Sequence, residues 1–154
     1  MKRQIIAFHG TPKEFSTIKT GDTGAFLSSS QWVAKHYAQA GFTHEVLINF
    51  TNALVVDAKQ APFDEIEFTS ALEKLAKQAN FTFTPVTPDP ENPSHQCINA
   101  DNLARLAKAS GYDGLIVENV YESAVDEMAT EYVVFNASQV RILNTFRTQN
   151  SPSP

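Results

Sequence analysis

Apolar residues fall into short runs separated by turn formers, and their spacing sets the expected elements. Gln4-Ile5-Ile6-Ala7-Phe8-His9 is apolar on both faces of an extended chain, which predicts a strand inside a sheet. Gly10-Thr11-Pro12 ends it, and a turn-rich stretch at 19–24 holds Gly21 and Gly24. Phe26-Leu27-Ser28 leads into Ser29-Ser30-Gln31-Trp32, where one serine can cap a helix. That helix is expected to reach about residue 40, with Gly41 as its left-handed stop and Val33, Ala34, Tyr37 and Ala40 on its apolar face. Residues 45–50 and 53–57 read as strands joined by Thr51-Asn52. Ser70-Ala71-Leu72-Glu73 is a capping-box pattern opening a helix to about residue 78. Residues 81–93, rich in proline toward the end, predict a loop. Asp101 can cap a third helix over 102–110, closed by Gly111. Residues 115–118, 131–135 and 140–143 read as strands. Strands cluster toward both ends with helices between, which predicts an α+β fold and not a doubly wound sheet.

Composition narrows the picture. With 154 residues, the chain is expected to form one domain over 1–147, followed by a disordered tail at 148–154 that ends Ser-Pro-Ser-Pro. Cys97 is the one cysteine, so neither an internal disulfide nor a multi-cysteine metal site can form. No run of ~18 apolar residues predicts a membrane span. The apolar stretch after Met1-Lys2-Arg3 is too short for a secretory signal. The expected location is therefore the cytoplasm, and delivery into another cell is compatible with the same features. The balance of 12 Lys+Arg against 17 Asp+Glu gives a net charge of -5, which does not suggest a nucleic-acid partner. Dinucleotide-fold glycines, a phosphate loop, a serine nucleophile elbow and metal-spaced histidines are all missing. No metal is therefore expected.

Three positions carry candidate chemistry, each with an ordinary alternative. His9-Gly10-Thr11 stands at the end of the first strand. It is either a satisfied histidine before a turn glycine or a ribose-binding tip, since imidazole and hydroxyl both hydrogen-bond a diol. There Gly10 would let a flat ligand approach the backbone. Tyr37 is either core packing or an aromatic floor that attracts a pyridinium by stacking and cation–π contact. Glu131 opens a strand whose two faces are both apolar, so it stands either just outside the sheet in water or in a functional site.

Together these residues resemble a known family. His9-Gly10-Thr11, then Gly24-Ala25-Phe26-Leu27-Ser28 with Ala34-Lys35-His36-Tyr37, then Glu131 through Val140 are similar to the ADP-ribosyltransferase superfamily. The likeness is to its His-Tyr-Glu branch, which includes poly(ADP-ribose) polymerases, diphtheria-type toxins and phage-carried transferase modules. It covers both ends of the chain and leaves residues 59–101 unmatched.

The resemblance implies two packed antiparallel sheets, a split β-sandwich with peripheral helices, and NAD+ as substrate in the cleft between them. It implies that His9 bonds the adenosine ribose, Gly10 offers backbone contacts to the carboxamide, and Tyr37 stacks on nicotinamide. Glu131 would bind the nicotinamide-ribose 2′-hydroxyl and be the catalytic carboxylate. Thr11, Phe26 and Ser28 would line the same pocket. Phe26 replaces the tyrosine of many relatives, and Ala34 the serine of some. Ala129, two before Glu131, departs from the arginine-modifying branch. Residues 119–130 are expected to form an acceptor loop. The implied reaction is mono-ADP-ribosyl transfer to a macromolecule, a protein before a nucleic acid. NAD+ glycohydrolysis and a non-catalytic NAD+ or ADP-ribose module are the alternatives.

Overall fold

The first strand, β1 (Arg3–Thr11), pairs along its whole length with β3 (Phe42–Phe50), and β3 pairs with β9 (Val140–Arg147). On the other side, β2 (Ala25–Ser28) pairs with β8 (Glu127–Val134), which pairs with β7 (Gly114–Glu122), which pairs with β4 (Ala53–Asp57). The two groups join through one residue pair, Phe8 with Ser28. This arrangement comes from a computed structural model that describes residues 2–12, 20–21 and 23–147. The expected tail at 148–154 lies outside the described residues, as does part of the 19–24 turn stretch.

The single joint lets the two halves fold against one another. Ala7, Val46, Ile48 and Phe50 from one half bury against Ala25, Leu27, Ile116 and Val134 from the other. Gly114 is required at that contact, because a Cβ there would collide with the Phe50 ring. This is the expected pair of packed sheets, with one departure from antiparallel order. β4 and β7 run parallel, and the 56 residues from 58 to 113 supply the long return that a parallel pair needs. The turn at Thr51-Asn52 is accordingly no hairpin, because it passes the chain from one half to the other. Asp113 fixes the corner by accepting the Thr51 and Asn52 N–H groups at 2.6 and 2.9 Å.

A second core lies on the opposite face of β7 and β8. Leu115, Val117, Val120 and Val133 pack there against α2 (Ser70–Gln78) and α3 (Ala100–Ala109). Burying each such side chain is worth about 1.5–3 kcal/mol, so this face accounts for the helices' amphipathic patterns. The middle of the chain contributes Ile66, Leu72, Ala76 and Ile98 to this core. A short antiparallel ribbon of β5 (Ile66–Glu67) and β6 (Cys97–Ile98) lies beside it.

Several caps differ from expectation by a residue or two. Thr69, not Ser70, caps α2 by accepting the Leu72 N–H at 3.3 Å. Asn99, not Asp101, caps α3 by accepting the Asn102 N–H at 2.9 Å. Each short side chain sits one residue before the first helical turn, where its oxygen reaches an unpaired N–H. Helix α1 (Gln31–Ala38) stops early, and Gln39, with φ 54°, takes the left-handed position expected of Gly41. Gly41 instead lies against the backbone of Thr11 and Pro12, where a Cβ would clash.

Candidate active site

After Phe8 the chain of β1 parts from β2, and a cavity of about 480 Å³ opens at the split. His9 and Gly10 line one wall, Phe26, Ser28 and Glu131 another, and Tyr37 of α1 a third. The volume lies in the range of small-molecule sites. Residues 9, 37 and 131 are far apart along the chain, so their meeting depends on the tertiary fold. Thr11 is the exception among the expected pocket residues. It is buried, pairs in register with Phe42, and is not among the described lining residues.

Three successive serines hold the floor together. Ser28 accepts the Ser30 N–H at 3.1 Å. Ser29 accepts the Thr130 N–H at 2.9 Å and donates its own N–H to the Thr130 carbonyl at 2.9 Å. Ser30 accepts the Val33 N–H at 3.3 Å as the N-cap of α1, and its hydroxyl donates to the Glu127 carboxylate. The run ties α1 to β8 and so fixes the distance between Tyr37 and Glu131. Gly10 sets the other approach. A Cβ there would strike the Ala34 carbonyl and lie 2.8 Å from the Ala38 nitrogen, so α1 can rest directly on β1.

His9 is held in one tautomer. Its Nδ1 lies 2.8 Å from the Phe26 carbonyl, which can only accept, so Nδ1 carries the hydrogen and Nε2 is left as an acceptor. Burial lowers its pKa, against the opposing effect of that hydrogen bond, so the ring is neutral near pH 7. Tyr37 departs from expectation. It is 62% exposed and not part of the helix's buried face, which is formed by Val33, Ala34 and Ala38. The period of the apolar residues placed it inward because Tyr37 follows Val33 by one turn. Its ring instead borders the cavity, where a ligand can cover it.

Glu131 is not at a strand mouth. β8 begins four residues earlier, at Glu127, and Glu131 is 4% exposed between Ser28 and Val117 on the neighbouring strands. Its Oε1 is buried with no hydrogen-bond partner. Burial is the largest of the causes that push its pKa up to about 10; a hydrogen bond with the Glu122 carboxyl and its charge add to the rise, and Ser28 opposes it. The expected acceptor loop at 119–130 is mostly strand as well, because β7 and β8 continue to a turn at 123–126.

Glu122, Asp64 and Phe63 are lining residues that sequence reasoning did not assign to the pocket. Phe63 and Asp64 belong to a 3-10 turn (Phe63–Glu65) in the middle of the chain, and Phe63 meets Phe26 edge-on at 5.8 Å. Glu122 had a weak signal, its place with Asp126 and Glu127 in the expected acceptor loop before Glu131. The described lining includes Asp64, Glu122 and Glu131 and no lysine or arginine. Charge from Glu122, Glu131 and Asp64 adds to burial in raising the Tyr37 phenol. Among the described residues, no helix is long and apolar enough to cross a membrane.

The split sheet and the histidine, tyrosine and glutamate around one cavity define an ADP-ribosyltransferase-like protein. The model of one family, described as ADP-ribosyltransferase in polyvalent proteins, matches residues 3–146, and the chain belongs to that family. Among solved structures, the chain is similar to one described as the crystal structure of an anti-CRISPR protein. The TM-score is 0.46 and the identity 15%, over 90% of this chain and 94% of that one. No curated protein matches it.

Proposed function

We propose that the protein is an NAD+-dependent mono-ADP-ribosyltransferase whose catalytic domain spans residues 1–147 and whose acceptor is a protein. The observation that carries this reading is the convergence of His9, Tyr37 and Glu131 on one cavity. In it, His9 Nε2 accepts a hydroxyl of the adenosine ribose, the Gly10 backbone meets the carboxamide, and Tyr37 covers the nicotinamide ring. Ser28 and Phe26 complete the pocket. Breaking the nicotinamide–ribose bond develops positive charge on the sugar, as in glycoside cleavage. A fixed carboxylate at Glu131 stabilises that charge more in the transition state than in the ground state. Nicotinamide leaves as a neutral molecule with the bonding electron pair, and the acceptor forms the new bond to the ribose carbon. The acidic cavity and net charge of -5 oppose a polyanionic acceptor.

The test is incubation with labelled NAD+ and cell lysate, following nicotinamide release and labelled macromolecules. The reading predicts both, and predicts that Glu131→Gln removes both. Release without a labelled macromolecule would assign NAD+ hydrolysis instead. Full activity in Glu131→Gln would overturn the mechanism.

A further inference from the structure

Glu122 reaches the cavity through a local irregularity in the β7–β8 ladder. Val117 pairs with Glu131, yet Val120 pairs with Ala129, so the register shifts by one residue between them. The extra residue falls at Glu118-Asn119, and Asn119 has φ 56°. Opposed residues in an antiparallel pair share a face, and faces alternate along a strand. In a regular strand the face of Val117 would continue with Asn119 and Tyr121, and Glu122 would point away from Glu131. The bulge moves Val120 and Glu122 onto the face of Val117 and Glu131. It is clamped from outside the sheet: the Glu118 carbonyl accepts from the Ala58 N–H at 2.8 Å, and that of Asn119 from the Gln60 N–H at 2.9 Å. The Asn119 amide also donates to Asp57 at 3.2 Å.

Two carboxyls brought to one face of a single cavity repel each other when both are charged, which favours a proton between them. Among the described lining residues there is no lysine or arginine to neutralise them. The described polar groups that face the cavity are neutral His9 from β1, the Ser28 hydroxyl from β2, the Tyr37 phenol from α1, Asp64 from the 3-10 turn and Glu122 from β7. Glu131 Oε1 is buried and accepts no hydrogen bond from the described residues, so a donor or a positive charge placed beside it is favoured.

We propose that Glu122 is a positioning residue for Glu131: the pair holds one proton in the empty cavity and releases it when the cationic nicotinamide end of NAD+ enters. This inference rests on the NAD+ reading above. The pyridinium and the electron-poor ribose carbon stand in for the proton, which passes to solvent, and Glu131 becomes the carboxylate that the transition state needs. Glu122 therefore sets when Glu131 is charged and touches no reacting atom itself. One proton released per ligand makes affinity rise about tenfold per pH unit while the pair is protonated.

The experiment is calorimetric titration in buffers of different ionisation enthalpy, which counts protons released on binding. The probes are the carbocyclic analogue of NAD+, which keeps the pyridinium but cannot be cleaved, and NADH, whose nicotinamide ring is uncharged. The wild-type protein should release close to one proton with the analogue at pH 7 and close to none with NADH. Glu122→Gln, of the same size, should bind the analogue with measurably less release and a shallower pH dependence of affinity, the remainder coming from burial of Glu131. Equal release with both nucleotides, no release with either, or unchanged release in Glu122→Gln would overturn the inference while leaving NAD+ binding intact. The wild-type comparison decides the matter even if the variant does not fold. Failure of every nucleotide to bind overturns the NAD+ reading, and this inference with it.

Discussion

The two walls of the cavity differ in charge. The β1 wall is neutral: His9 has its tautomer fixed by the Phe26 carbonyl, and Gly10 presents bare backbone. The wall formed by β2, β8 and β7 is acidic, with Glu131, Glu122 and the nearby Asp64. A neutral acceptor suits a sugar hydroxyl, which needs direction more than charge. A buried carboxyl such as Glu131 beside a second carboxyl suits a cation and is costly without one. On the reading proposed above, the acidic wall governs the chemistry and the neutral wall governs placement.

That contrast is broken most severely at Glu131. Glu131→Gln should reduce nicotinamide release by at least ~10²-fold, as loss of a preorganised transition-state group does. The same change should stabilise the fold. The Glu131 carboxyl is raised in the native state, so the folded protein binds more protons than the unfolded chain between the ordinary carboxylate range and about pH 10. Its contribution to stability is present below that window and is lost as pH rises through it. Thermal melts from pH 5 to 9 should show wild-type Tm falling more steeply than that of Glu131→Gln. Near pH 7 the variant should be more stable by about 1–3 kcal/mol, or several degrees.

Gly10→Ala tests the neutral wall through its geometry. The added methyl meets helix backbone that cannot yield without moving α1, at a cost of about 1–3 kcal/mol in stability. Denaturant titration reads the cost, and NAD+ affinity should fall with it because Tyr37 moves with α1. Tyr37→Ala should separate binding from stability. The ring is largely exposed, so Tm should hardly change, while lost stacking weakens NAD+ binding by about tenfold. His9→Ala should have the smallest effect, a few-fold loss of affinity from one hydrogen bond worth about 1 kcal/mol. Because His9 is already neutral, its contribution should not vary between pH 7 and 8.

The two walls also differed in how far the sequence revealed them. His9, Gly10, Phe26, Ser28, Tyr37 and Glu131 were legible because strand ends, a serine run before a helix and an apolar strand leave local patterns that also match a family. Glu122 fell only within the expected acceptor loop at 119–130. Its orientation depends on a bulge clamped by residues 58–60, and pattern reading assumes an unbroken period of two. Phe63 and Asp64 were hidden because they sit in a short turn positioned by the packing of Phe63 on Phe26, across 37 residues. The parallel β4–β7 pair was illegible for a related reason: a short polar turn such as Thr51-Asn52 reads as a hairpin unless the partner of the second strand is known. Caps erred by one residue where two adjacent residues could both serve, as at Thr69 and Ser70.

The central claim is that distant segments meet around one NAD+ molecule. A crystal structure of Glu131→Gln grown with NAD+ tests it directly. The account predicts nicotinamide covering the Tyr37 ring, the adenosine ribose at His9 Nε2, and the nicotinamide-ribose 2′-hydroxyl at residue 131. A dinucleotide bound elsewhere, or bound with any of those three side chains turned away from it, would contradict the account.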